Sequence, residues 1–254
     1  MFPSATYPRY HLGKIGKRMN KTNDKTGSRT AAQDAKGHRS RLRSRLLDGG
    51  PDALLDHELI EYLLALAIPR RDTKPIAKQL IAEFGNLSAL FCADPESIAK
   101  LPYMGETSVA AIKIVQAAAL RMISEPVREA PILASWNALL DYLRADMAHL
   151  SNERVRTLYL DTKNQLIRDE VASEGSVDQA AIYTREVIRR ALDLGATAVI
   201  LVHNHPSGDS APSRQDIVMT REIIEAGKRL GIDVHDHIII GKDGHHSMRT
   251  AGLI

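Results

Sequence analysis

The sequence predicts an α+β protein in two parts, a helical front followed by a mixed sheet flanked by helices. Three observations lead there. Residues 52–124 place apolar side chains at helical spacing. From Val155 onward, alternating or continuous β-branched runs take turns with amphipathic stretches. Between the two, Glu125 to Pro131 carries two prolines and mixed charge, the composition of a connection. The boundaries drawn are a basic, disordered tail over 1–45, a helical domain over 46–125, a linker over 126–131 and an α/β domain over 132–254.

At 254 residues and 44% hydrophobic content the chain can bury a sizeable core. Its net charge of +3 hides an asymmetry, because residues 1–45 hold twelve Lys or Arg against two Asp. Residues 1–37 lack apolar periodicity, which argues for disorder. At His38 the pattern HRSRLRSRLLDGG begins, a basic helix stopped at Gly49-Gly50-Pro51. Contact with nucleic acid or an anionic surface is one reading of it, and a solubilising tail is the other. Leu54, Leu55, Leu59, Ile60, Leu63 and Leu64 make a helical stripe, and Pro75 to Phe84 a second helix that Gly85 ends. Asp94-Pro95 opens a third, and Ser108 to Met122 is an alanine-rich amphipathic fourth.

The second part opens with a helix from Trp136 to Leu150. Val155–Leu160 and Gln165–Ala172 read as a hairpin joined at Asp161–Asn164. Tyr183 to Leu194 is a helix closed by Gly195, and Thr197 to Val202 is a buried strand. Ser213 starts a helix whose Ile217, Val218, Ile223 and Ile224 recur at helical spacing. Val234 to Ile240 is a further strand, followed by a turn at Gly241–Gly244 and a short final strand.

Several classes are excluded. The single cysteine, Cys92, rules out an internal disulfide, cysteine-rich zinc fingers and the deaminases that need a P-C-x-x-C pair. No run of roughly 18 apolar residues and no apolar N-terminal segment occur, so neither a membrane span nor a secretory signal is indicated and a cytoplasmic location is expected.

The chemistry collects between Thr197 and Asp216. The strand delivers His203 and His205, two residues apart and therefore on one side of an extended segment. Pro206, Gly208 and Pro212 break the chain into a loop, and Asp216 returns in the first turn of the next helix. Two imidazoles and a carboxylate are a zinc-type set, and three protein ligands leave a fourth position open for water. Ser213-x-x-Asp216 is also a capping-box pattern.

The whole string H-x-H-P-x6-S-x2-D, from His203 to Asp216, is the signature of the JAMM metalloprotease motif of MPN domains. HNHPSGD, with PSRQD after it, resembles the bacterial RadC family. The resemblance implies a zinc-dependent hydrolase of amide bonds in a peptide or protein substrate, with Zn2+ on His203, His205 and Asp216. It gives Ser213 the role of donor to the oxyanion and asks for a glutamate just before the first strand as general base. Glu153 fits, with Glu170, Glu174 and Glu186 as rivals. Asp209 lacks the motif spacing, and His235, His237, His245 and His246 form no ligand pattern of their own. A non-catalytic MPN scaffold has no evident need to keep all three ligands and the serine.

The helical region resembles the helix-hairpin-helix segment of RadC-like proteins, whose Gly-apolar-Gly turn offers backbone N–H groups to a phosphate. Here the turn reads Tyr103-Met104-Gly105, with tyrosine in place of the first glycine. The alternative function is accordingly a DNA-associated, repair-related protein that binds through the tail and the helical module. Oligomeric state is not legible in a single chain.

Overall fold

The computed structural model describes residues 31–175 and 184–254. The chain forms two compact units, one of residues up to Leu87 with Ile98–Ile112, the other of Ser88–Ser97 with Lys113–Ile254. The first 30 residues of the expected tail lie outside the described residues, as does Tyr183. The basic helix expected from His38 to Gly49 is present and starts earlier, since α1 spans Ala31–Gly49 and buries Leu42, which corrects the expectation of disorder for residues 31–37 and the tail boundary drawn at 45.

In the first unit, α1 packs on α2 (Asp56–Ala67), and α2 packs on α3 (Lys74–Phe84). Ile60 and Leu64 on α2 and Ile76, Ala77 and Leu80 on α3 are buried, at the i, i+3 and i, i+4 spacings that put them on one face. Two arginines of the basic run are used internally. Arg39 donates to the carbonyls of Pro69 and Arg71, and Arg45 grips both carboxylate oxygens of Glu58 at 2.7 and 2.9 Å. The Arg45 hydrogen bond pulls the Glu58 carboxyl down to about 2.

Short helices α4 (Leu87–Cys92) and α5 (Pro95–Ala99) lead into α6, which runs over Glu106–Glu129. The linker drawn at 126–131 is therefore helical as far as Glu129. Pro126 removes one N–H from the helix ladder, but Val127 is buried and Leu120 and Ile123 pack on the same core, and this burial outweighs the break. By length and composition alone, α6 is the one helix among the described residues apolar enough to cross a membrane; Lys113 and Arg121 lie along it.

The second unit continues with α7 (Trp136–Met147), β1 (Glu153–Leu160), β2 (Leu166–Gly175), α8 (Thr184–Leu194), β3 (Ala198–Asn204), α9 (Arg214–Lys228), β4 (Asp233–Ile240) and β5 (His245–Ser247). The five strands form one mixed sheet in the order β2-β1-β3-β4-β5, with only β3 and β4 parallel. All seven residues of β3 are buried, and the apolar run Ala198–Val202 is what a central strand covered on both faces requires. The sheet buries both faces. Leu158, Leu160, Ile200 and Val202 meet Leu139 and Leu143 of α7 on one side. Val199, Leu201 and Val234 meet Val187 of α8 and Ile223 of α9 on the other. Each fully buried aliphatic side chain contributes about 1.5–3 kcal/mol, so β3 is a firmly packed support for a site at its end. The α+β architecture is the one expected from the sequence.

Candidate metal centre

The last residue pairs of β3 set the site. His203 sits opposite Val155 of β1 and beside Ile239 of β4, and the backbone N–H of His205 donates to the Ile240 carbonyl at 3.0 Å. The chain thus stays extended one residue past the strand, and both imidazoles leave the same face. A turn follows, with Gly208 N donating to the His205 carbonyl at 2.9 Å and Gly208 itself at φ +93°. The turn returns the chain to α9. Ser213 caps that helix, its Oγ accepting from Asp216 N at 3.1 Å, and Asp216 Oδ2 accepts from Ser213 N at 2.7 Å and from its hydroxyl at 2.6 Å.

The cap and the ligand role, which compete in the sequence, divide one carboxylate between them. Oδ2 serves the cap, while Oδ1 lies 3.6 Å from His203 Nε2. His203 Nε2 and His205 Nε2 are 2.9 Å apart, and one ligand atom from each of His203, His205 and Asp216 falls within 4.8 Å of the others. Ligands on a tetrahedral zinc at 2.0–2.1 Å stand about 3.3 Å from one another, which these spacings bracket. The donor set fits chemically as well. His205 Nδ1 lies 2.7 Å from the Asp209 carbonyl, which can only accept, so Nδ1 carries the proton and Nε2 presents a lone pair. Burial is graded across the group: His203 is 1% exposed, whereas the side chains of His205 and Asp216 retain 20% and 15%. Desolvation takes the His203 imidazole down to about 4, against the pull of Asp216, which keeps it in the neutral form a metal needs. Residues 133–253 match the family model of the RadC-like JAB domain. The second domain belongs to that family.

Within the JAB domain, Glu153 is the first residue of β1, two before Val155. Because Val155 opposes His203 and side chains alternate along a strand, the register puts Glu153 on the histidine face at the open end of the sheet. Asn204, between the two histidines, fixes this register. Its Oδ1 accepts from Arg154 N at 2.9 Å and its Nδ2 donates to the Asn152 carbonyl at 3.1 Å, so one buried amide clasps the backbone on both sides of Glu153. The three rival glutamates are each paired with arginine: Glu170 with Arg190 at 2.8 Å, Glu174 with Arg154 at 2.9 Å and Glu186 with Arg189 at 2.8 Å.

The sequence places His237 among four C-terminal histidines without a ligand pattern of their own, and it does not connect His237 or Thr220 to the site. His237, fully buried on β4, places Nε2 2.8 Å from His203 Nδ1, and its own Nδ1 lies 2.6 Å from Thr220 Oγ1 on α9. Burial pushes His237 well below the usual histidine range, and the neighbouring His203 adds to the effect. Its partnership depends on the parallel pairing of β3 with β4, a non-local contact that no spacing announces. Of the other histidines in that segment, His235 Nε2 instead meets Asn164 Oδ1 at 2.6 Å.

Proposed function

We propose that the JAB domain is a zinc-dependent hydrolase that cleaves an amide bond in a peptide or protein. His203, His205 and Asp216 are the ligands and Glu153 is the general base. The convergence of two imidazole nitrogens and one carboxylate carries the reading, since three protein ligands are the number that leaves a position for water. Zinc bound there supplies a water acidified toward about pKa 7 and polarises the scissile carbonyl. The chain's own residues do the remainder. Glu153, on the histidine face at the strand end, accepts the proton of the attacking water and returns it to the leaving amine nitrogen. Asn204 holds Glu153 in line by fixing the backbone before and after it. Ser213, whose hydroxyl proton goes to Asp216 in the resting cap, donates to the oxyanion after its rotor turns away.

The test is elemental analysis beside hydrolysis of peptide and isopeptide substrates. Glu153→Gln is expected to keep about one zinc per chain and to lose hydrolysis by at least about 100-fold, the usual cost of a missing general base. A wild-type protein that takes up no zinc overturns the reading, and full activity in the glutamine variant moves the base elsewhere.

A second reading, DNA association through the helical front, draws on one observation. Tyr103 has φ +68°, a conformation that glycine normally supplies, so the turn before α6 keeps its backbone form with tyrosine in the glycine position. The exposed ring is covered by the Arg71 guanidinium, 3.9 Å from its centroid. Tyr103→Gly relieves about 1 kcal/mol of backbone strain and gives up a cation–π contact of about 0.5–1 kcal/mol, so stability should move by less than about 1 kcal/mol. If the turn meets a phosphate, the variant binds duplex DNA more tightly than wild type, with affinity that falls steeply as salt rises. Equal affinity at low salt removes this reading.

A further inference from the structure

Behind His203 runs a buried chain of polar contacts that ends on α9. His203 Nδ1 meets His237 Nε2 at 2.8 Å, His237 Nδ1 meets Thr220 Oγ1 at 2.6 Å, and Thr220 Oγ1 meets the carbonyl of Asp216 at 2.6 Å. His237 and Thr220 are completely buried, so no water competes for these protons. The last contact decides the direction of all the others. A carbonyl oxygen only accepts, and Thr220 has a single proton, so that proton goes to Asp216. The hydroxyl then has only lone pairs to offer His237, whose Nδ1 must carry its ring proton. In a neutral imidazole the other nitrogen is then an acceptor. His237 Nε2 therefore takes a proton from His203 Nδ1, and His203 Nε2 is left bare.

We infer that Thr220, acting through His237, is a positioning residue that selects the tautomer of His203 able to bind a metal ion. The inference rests on the metal site proposed above. The Thr220 carbonyl partner belongs to Asp216, so the residue that closes the relay also carries the third ligand. His205 reaches the same state by a shorter route, through the Asp209 carbonyl. Two bare Nε2 atoms then face each other across 2.9 Å beside a carboxylate, a group that attracts a cation. If the hydroxyl turned to donate to His237 Nδ1 instead, every proton in the chain would reverse and His203 Nε2 would be protonated toward His205.

The chain can be read directly and through metal affinity. Long-range proton–nitrogen NMR of the histidine rings in the metal-free protein should show His203 protonated at Nδ1 with a bare Nε2. The opposite tautomer overturns the inference whatever the zinc result. Chelator competition with zinc should give a 10- to 100-fold weaker affinity for Thr220→Val, the usual cost of losing a partner behind a ligand, and an affinity within about threefold of wild type for Thr220→Ser. Valine matches threonine in shape, and a thermal melt confirms that the variant is folded. Wild-type affinity in folded Thr220→Val overturns the relay and leaves the metal site standing. Failure of the wild-type protein to bind zinc while His203 shows the expected tautomer overturns the metal reading and retains the assignment of protons.

Discussion

His205→Ala is expected to give a folded protein without zinc, whereas His203→Ala loses zinc and stability together. The two histidines are equivalent as ligands and unequal as structural residues. His205 is at the rim, one-fifth exposed, and away from the ligand cluster its ring bonds the Asp209 carbonyl, which the loop can turn to water. Its truncation should change the unfolding free energy of the metal-free protein by less than about 1 kcal/mol, as is usual for an exposed polar side chain. His203 lies inside the sheet's helical face at 1% exposure. Removing it opens a cavity and strips His237 Nε2 of its partner in a place water does not reach, a combination worth about 2–4 kcal/mol. Denaturant titration of the metal-free variants beside elemental analysis separates the two effects. About one zinc per chain in His205→Ala would remove that residue from the ligand set, and equal stability of the two variants would show that the His237 contact contributes nothing.

This inequality marks the limit of what the sequence discloses. Strand β3 is legible because five consecutive apolar residues, Ala198–Val202, have no polar face to disguise them, and α9 because Ser213 and Asp216 announce its first turn. The spacing of His203, His205 and Asp216 is local, so the chain itself brings them together. What lies behind them is not local. His237 and Thr220 come to His203 only after β4 has paired parallel to β3 and α9 has packed over both. Asn204 is similar: between two histidines it reads as a filler, and only the antiparallel register with β1 reveals its hold on the backbone around Glu153. The connection after residue 125 fails for another reason. Pro126 is a strong local signal for a break, but Val127 finds a place in the core and the helix continues to Glu129. At Tyr103 the missing glycine is plain in the sequence, and the φ of +68° that the tyrosine nevertheless adopts is not.

Gly241 carries the second large effect, from outside the ligand set. It follows the last residue of β4, and a Cβ built on it would stand 2.4 Å from the Gly208 carbonyl oxygen and 3.1 Å from Ser210 N. Both obstacles are backbone, so no side chain can swing aside to relieve them. The contact is bonded on either side: Lys242 N donates to Gly208 O at 3.2 Å, and His205 N donates to Ile240 O at 3.0 Å. The loop that an added methyl must displace includes Asp209, whose carbonyl fixes the His205 ring. Gly241→Ala is therefore expected to destabilise the fold by about 1–3 kcal/mol, as forced overpacking does. It should also weaken zinc binding 10- to 100-fold, as the loss of a ligand's orienting partner does. Gly244→Ala, in the same turn with open space around its Cβ, is the control and should leave both unchanged within error. Thermal melts of the metal-free proteins report the first effect and chelator competition the second. A Gly241→Ala protein with wild-type values in both would mean that the β4–β5 turn does not support the loop, and His205 would then owe its orientation to the strand alone.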